Sequence, residues 1–518
     1  MKQCLEDLQS TNPCDDKERI ATTKDTLLRD SYAWILHNDV FKSWLRGDDT
    51  QILWIKGDAG KGKTMMMIGL EKELSALVKG TQKGGTLAYF FCQNTDDRLN
   101  HAVAVVKGLI FLLATNVKRV TKHLQAECNP AWKDGSRGVN SLYALWRVLS
   151  NIVNDLANSN CVPVYLMIDA LDECDPRSLS DLLTLITEKS PGPPSAVKWL
   201  LASRYDADIA AFLRPEQSRS KIELELNPSH IAHAVHRYID SKVKQLSAKK
   251  GYDDRLRDTV KTHLLANSGE TFLWVALVCK ELEKAARWEA KRMLNEFPPG
   301  LIPLYDRMTR QIQAYRTETM EFCLRTLSVL ALALRPLKLS ELPAVADLPE
   351  QEFPDPQALE GLVEICGSFL TLRNDTVHFV HQSAKDYILD QTRSKIFQTA
   401  QSDHRSIALR SVRAMAILKK NLCGIRTHGP ISDNDKSPQN LRPLDPIGYA
   451  CCYWVDHLSV QSAPDQAEPV LFDGGEVHHF LEQHFLHWIE SLSLLGRISD
   501  GISMIRKLLV LVQVCYMS

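Results

Sequence analysis

Five short apolar runs, separated by stretches with helical spacing, set the pattern of the first half of the chain. Residues 51–55 (QILWI), 86–92 (TLAYFFC), 163–169 (PVYLMID) and 197–203 (VKWLLAS) are nearly continuous in apolar character. Strands buried on both faces read this way, whereas residues 221–226 (KIELEL) alternate like an edge strand. Between the runs, Met67, Leu70, Leu74 and Leu77 form one helical stripe closed by Gly80, and Ala102, Val105, Val106, Leu109 and Leu113 form another. Strands alternating with helices need crossover connections, so the pattern predicts a three-layer α/β domain with a parallel sheet over residues 47–226. Ahead of it, residues 27–45 have helix-like spacing that includes Trp34, Phe41 and Trp44, and residues 1–46 read as a helical lead-in.

From residue 227 onward strand signals almost vanish. HIAHAVHRYIDSKVKQL and ETFLWVALVCKELEKAARW read as helices of a helical domain over 227–303, with FPPGLIP as its linker. In CGSFLTLRNDTVHFVHQSAKDYILD two apolar runs flank the turn RNDT and lead into a helix, which predicts a winged-helix-like domain over 304–395. Residues 396–518 read as a mostly helical C-terminal region, interrupted by the polar stretch THGPISDNDKSPQNLRPLDP. No internal repeat with a period of roughly 30 to 50 residues is visible.

Composition narrows the function classes. A chain of 518 residues is too long for one core and implies several domains. A net charge of -1 offers no electrostatic basis for binding nucleic acid or an anionic membrane. The 13 cysteines are scattered, with no C-x-x-C pair, and read as free thiols in a reducing compartment. The N-terminus lacks the apolar core of a signal peptide, and runs such as GLIFLLA are far too short to span a bilayer. The expectation is a cytoplasmic protein with no membrane span.

The candidate chemistry begins at Gly57-Asp58-Ala59-Gly60-Lys61-Gly62-Lys63-Thr64, which fits G-x-x-x-x-G-K-[ST] at every fixed position. An apolar strand ends just before it, and an amphipathic helix begins near Lys63. Glycines let successive backbone N–H groups turn toward one ligand, and the helix N-terminus adds a favourable dipole. Residues 57–64, with Met65 in the first helical turn, are the expected nucleotide-binding set; Lys63 would meet the β- and γ-phosphates and Thr64 would ligate Mg²⁺. The bland alternative is a glycine turn capping a helix.

An apolar strand ending in an acid should accompany such a loop, and VYLMIDALDECD supplies it. Asp169 at the strand end is the expected second Mg²⁺ ligand, and Asp172 and Glu173 are the candidates to orient a water against the γ-phosphate. Asp172, Glu173 and Asp175 also fit as helix N-terminal acids favoured by the dipole. Arg204, just after the strand WLLAS, is placed to sense a γ-phosphate, or else is a solvated basic residue.

GDAGKGKT, MIDALDEC and LLASR together closely resemble the NACHT domain of STAND-class signalling NTPases, with Ala170 as the small residue after Asp169. LLRDSYAWIL, TFLWVALVCKEL, VHFVHQSAKDYIL and YACCYWVDHL narrow the resemblance to fungal NACHT proteins of the vegetative (heterokaryon) incompatibility type, often joined to WD repeats; it spans roughly residues 4 to 496. The resemblance implies a switch held closed by a nucleoside diphosphate and opened by exchange and self-association, with sensor and effector partners. It also implies a winged-helix histidine on the diphosphate, for which His381 stands here; a hydrogen-bonded core histidine is the competing reading. No WD repeats and no folded effector domain are visible, so a truncated or minimal core is expected.

The expected function is a nucleotide-dependent switch, binding ATP/ADP or GTP/GDP with Mg²⁺, hydrolysing slowly, and acting in non-self recognition or programmed cell death. Alternatives are a productive AAA+-like ATPase and a nucleotide-binding scaffold without hydrolysis. A small-molecule kinase leaves the long helical and winged-helix regions without a role. The base is not legible, because the loop grips phosphates only.

Overall fold

The computed structural model describes residues 12–23, 29–47, 49–80, 85–94, 96, 98–126, 139–160, 163–193, 195–214, 218–390, 404–425, 438–460, 471 and 473–517. They divide into two compact units, Met1–Leu304 and Tyr305–Ser518.

The first unit is built on a five-stranded parallel sheet: β1 (Ile52–Lys56), β2 (Thr86–Phe91), β3 (Val164–Asp169), β4 (Val197–Ser203) and β5 (Arg219–Glu223), in the order β2-β3-β4-β1-β5. The apolar runs are strands because helices cover them: every residue of β2, β3 and β4 is buried. Helices α1 (Lys63–Gly80), α2 (Ala102–Asn116), α3 (Val139–Asn160) and α4 (Pro176–Glu188) supply that cover. Gly108 of α2 lets the helix approach β2 closely, since a Cβ there would lie 2.5 Å from the Phe90 ring.

Three sequence expectations need correction. Leu77, placed on the buried stripe of α1, is 41% exposed. The buried residues of α1 run only from Met66 to Leu74. An 18-residue helix is about 27 Å long and outruns a strand of five or six residues. The expected edge strand over 221–226 begins earlier, at Arg219, and gives way to a single helical turn, Leu224–Leu226. That turn buries Leu224 against Gly57 and leaves Leu226 exposed. The helix-like run before the sheet is broken into two helices, Ala33–His37 and Asp39–Arg46. Asn38 makes the break, its side chain accepting from the Val40 and Phe41 amides at 2.9 and 3.4 Å.

The helix Pro13–Thr23 is tied to α1 by a 2.9 Å ion pair between Lys17 and Glu71 and to β2 by the Tyr89 hydroxyl, which donates to Cys14 Sγ at 3.4 Å. After β5 the unit continues through α5 (Pro228–Lys250), α6 (Asp254–Asn267) and α7 (Phe272–Lys284).

The second unit carries α8 (Thr317–Leu332) and a small antiparallel sheet of β6 (Leu337–Lys338), β7 (Leu370–Arg373) and β8 (Thr376–Phe379), ordered β6-β8-β7. Asn374 and Asp375 join β7 to β8 with φ of 45° and 61°, the left-handed pair that a two-residue hairpin requires. The chain then runs through α9 (Gln382–Leu389), α10 (His404–Ala414), α11 (Gly448–Ser459), α12 (Glu476–Leu494) and α13 (Ile498–Met517). Of the polar stretch expected to interrupt this region, residues 427–437 lie outside the described residues. Trp454 and Trp488 pack edge to face, 5.6 Å apart, in the core of α11 and α12. No described helix is long and apolar enough to cross a membrane, and no disulfide joins the described cysteines.

Candidate functional site

β1 delivers the chain to a loop over residues 57–62, and α1 starts at Lys63. Gly60 and Gly62 have φ of 78° and 84°, values that side-chain-bearing residues rarely adopt. Lys63 folds back over the loop, its Nζ donating to the carbonyls of Gly57 at 2.5 Å and Asp58 at 2.8 Å. The Asp58 amide donates to Glu225 Oε1 at 2.7 Å. Glu223, nearby on β5, has its carboxyl held below the usual range by Lys221 and then Lys56.

The N-terminus of α7 covers the loop, a contact that the sequence did not reveal. The Leu273 amide donates to the Gly60 carbonyl at 3.4 Å, and Lys61 Nζ donates to the Gly269 carbonyl at 3.3 Å. A Cβ on Gly60 would lie 2.8 Å from Thr271 Cγ2, and one on Gly62 would lie 3.0 Å from the Phe272 ring. The segment reads as helix, but nothing local in TFLW marks it as the cover of a loop far earlier in the chain.

Strand order brings the acids to the same edge. β4 lies between β3 and β1, so Asp169 ends two strands from the loop. The Gly57 amide donates to the Ser203 carbonyl at 3.3 Å, tying the loop to the tip of β4. Asp169 is 2% exposed, and its carbonyl accepts from the Cys92 amide at 3.1 Å. Ala170 then adopts φ 56°, ψ 49°, left-handed, and the chain turns through Leu171–Glu173. A small residue suits this turn because each larger Cβ substituent adds to the left-handed penalty.

The two candidate water-positioning acids have different partners. Asp172 accepts from the Arg204 amide at 2.9 Å and from Arg204 Nε at 2.6 Å. Glu173 Oε2 accepts from the Asn94 amide at 3.2 Å. Asp175 caps α4, accepting from the Ser178 amide at 3.1 Å, which matches the helix-acid alternative for that residue. Asn94 has no signal in the sequence, because it contributes its backbone N–H, which almost any residue type would supply. Behind the turn Cys92 and Cys174 are buried; their mutual hydrogen bond, then burial, pushes the Cys92 thiol up. A protonated buried thiol is a poor nucleophile, so Cys92 is a packing residue.

His381 belongs to the second unit, where it caps α9: Nδ1 accepts from the Ser383 amide at 3.1 Å and lies 2.9 Å from Ser383 Oγ. Acceptance at Nδ1 leaves the proton of a neutral ring on Nε2. His378 pairs across the hairpin with Thr371.

Fold and loop together define an α/β P-loop NTPase domain followed by helical regions. Residues 30–204 match the family described as nephrocystin 3, N-terminal. Over 98% of its length the chain is 38% identical to the vegetative incompatibility protein HET-E-1 of Podospora anserina, and it spans 38% of that relative's length. The resemblance to fungal NACHT proteins of the incompatibility type is thus borne out. Solved structures with some likeness include a Walker-type ATPase of Pyrococcus abyssi (TM-score 0.33, 11% identical, covering 70% of this chain and 96% of that one). Another is Cdc6p of Pyrobaculum aerophilum (TM-score 0.33, 14% identical, covering 73% and 97%). Likeness at that level carries no inference about ligands or partners.

Proposed function

We propose that the chain is a nucleotide-dependent switch that binds a nucleoside di- or triphosphate with Mg²⁺ at residues 57–65, hydrolyses it slowly, and acts in incompatibility-type signalling. The observation that carries this is the convergence at one sheet edge of the left-handed glycine loop, Lys63 at the start of α1, and the Asp169–Glu173 turn. Lys63 bonding to the loop's own carbonyls is a posture that phosphate oxygens would replace.

The donor set fits Mg²⁺. Thr64 at the first turn of α1 and Asp169 at the end of β3 offer hard oxygens and no soft ligand. Those two residues would hold the ion, which when bound neutralises phosphate charge. The protein's part is to align the phosphates through backbone N–H groups and Lys63, and to orient water through Asp172 or Glu173. Arg204 would meet the third phosphate, and His381 Nε2–H would donate to a diphosphate. The helical domain (227–303), the winged-helix-like domain (304–395) and the C-terminal region would carry the state outward, through self-association and an effector or sensor partner, in the cytoplasm.

The test is nucleotide retention and turnover. The purified protein is expected to release a nucleotide identifiable by mass spectrometry as adenine or guanine based, and to turn over well below roughly 1 per second. Lys63→Ala should abolish retention. Rapid partner-free turnover would replace the switch with a productive ATPase; unchanged retention in the variant would refute the loop assignment.

A further inference from the structure

The pairing of Arg204 with Asp172 joins a residue expected to sense phosphate to one expected to handle water. Two hydrogen bonds hold the pair, one from the Arg204 backbone amide to Oδ1 at 2.9 Å and one from its Nε to Oδ2 at 2.6 Å. The Asp172 side chain is 10% exposed and that of Arg204 is 30% exposed, so the carboxylate is enclosed while the guanidinium reaches solvent. Arg204 follows directly on Ser203, whose carbonyl accepts from the first loop glycine, and β4 is the strand between the loop and the acid turn. The tip of β4 therefore lies between the loop and the acid turn, which makes the Asp172 carboxylate and an anion on the loop natural competitors for the guanidinium.

We propose that Asp172 and Arg204 form an exchangeable lock that reads the third phosphate. With a diphosphate or no nucleotide, the Nε bond covers Asp172 and cancels its charge. A γ-phosphate draws the guanidinium away, and the Arg204 amide, fixed at the end of β4, keeps its bond to Oδ1 so that Asp172 stays in place. Oδ2 is then uncovered and accepts from a water on the loop side. One exchange thus discriminates triphosphate from diphosphate and readies the acid; Asp172 acts on phosphate selectivity as a positioning residue, through Arg204. The discrimination is reciprocal: what the lock withholds from the γ-phosphate, the γ-phosphate must overcome.

This rests on the nucleotide-site assignment above, and the test separates the two. Affinities of the full-length wild type, Asp172→Asn, Arg204→Gln and the double variant are measured for a diphosphate and for its non-hydrolysable triphosphate analogue, in both the adenosine and guanosine series. Asp172→Asn keeps the shape and the backbone bond but loses the charge-assisted one, because the amide NH2 at the Oδ2 position cannot accept from Nε–H, so the triphosphate-over-diphosphate preference should rise on the order of tenfold. Arg204→Gln should erase that preference, and adding Asp172→Asn to it should change nothing further. A purely structural pair would alter both affinities together and leave their ratio fixed. A ratio within about twofold of wild type in Asp172→Asn, or an additive double variant, overturns the lock while diphosphate binding persists. Absence of diphosphate binding in the wild type overturns the site assignment itself.

Discussion

The close seat of the phosphate loop under α7 makes Gly60→Ala a quantitative test of the site. The substitution asks an L-residue to hold φ near 78°, which costs about 1–2 kcal/mol. It also places a Cβ 2.8 Å from Thr271 Cγ2 and 3.0 Å from Leu273 Cβ. Thr271 cannot turn away freely, because its hydroxyl donates to the Gly269 carbonyl at 3.1 Å. Leu273 is held by the hydrogen bond its amide donates to the Gly60 carbonyl. Overpacking of this kind adds about 1–3 kcal/mol, while the smaller entropy of the unfolded alanine chain returns about 0.4–1 kcal/mol. Together these ranges span about 1–4.6 kcal/mol, with the middle of the span, about 2–3 kcal/mol, as the working net strain.

That strain has two outlets. If the loop stays put, the ligand-free protein melts lower, by about 3–5 °C in the transition of the first unit. If the loop shifts to escape the clash, stability is spared, but a nucleotide must restore the seat, and affinity falls by roughly 30–150-fold. Calorimetric melting of the ligand-free chain and titration with diphosphate measure both, and the two losses should sum to the strain. Gly80→Ala is the reference, since nothing lies within 4 Å of its added Cβ. Gly60→Ala within about 1 °C and about threefold of wild type on both measures would refute the seat.

Ala170 at φ 56° tolerates glycine but not a β-branched residue; Ala170→Val should cost about 2 kcal/mol or more and weaken Mg²⁺-dependent nucleotide binding, whereas Ala170→Gly should stay within about 1 kcal/mol by melting and titration. Lys198 is 1% exposed, and its Nζ donates to the carbonyls of Gly47 and Thr50, so Lys198→Met should destabilise the first unit by about 2–4 kcal/mol in denaturant unfolding, through two orphaned carbonyls. His457 is fully enclosed, with Nε2 at 2.7 Å from the Tyr449 hydroxyl and Nδ1 at 2.7 Å from His404 Nδ1. Burial first, and His404 second, push its pKa down to about 3. Its neutral form therefore supports the second unit fully above the ordinary histidine value of about 6.5, and that support is lost as pH falls toward 3, amounting to about 2 kcal/mol by pH 5. His457→Gln should flatten the slope of stability between pH 7 and pH 5; an unchanged slope would assign the acid sensitivity elsewhere.

The residues that could be found from sequence share one property: their roles are written in their neighbours along the chain. β2, β3 and β4 were legible because burial on both faces forces a continuous apolar run, and Asp169 and Arg204 were legible because each breaks such a run at the edge where parallel strands present ligands. Leu77 and Leu226 misled because period alone does not say how far the covering layer extends; α1 outlasts the sheet, and the chain bends at Leu224 to fill the space beside Gly57. The Arg204–Asp172 pair and the α7 cover lie beyond local pattern altogether. They depend on which strand tip lands beside which loop, and that is decided by the order β2-β3-β4-β1-β5 and by the return of α5, α6 and α7 to the loop. Local pattern therefore marks the candidate groups but not their partners in this conformation: Lys63 on its own loop, Asp172 on Arg204 and Glu173 on Asn94. Of these candidate groups, Asp172 pairs with Arg204, Lys63 with carbonyls of its own loop and Glu173 with a backbone amide, and a ligand that acts through them has to displace those partners first, which is the physical support for the proposed switch over a fast enzyme.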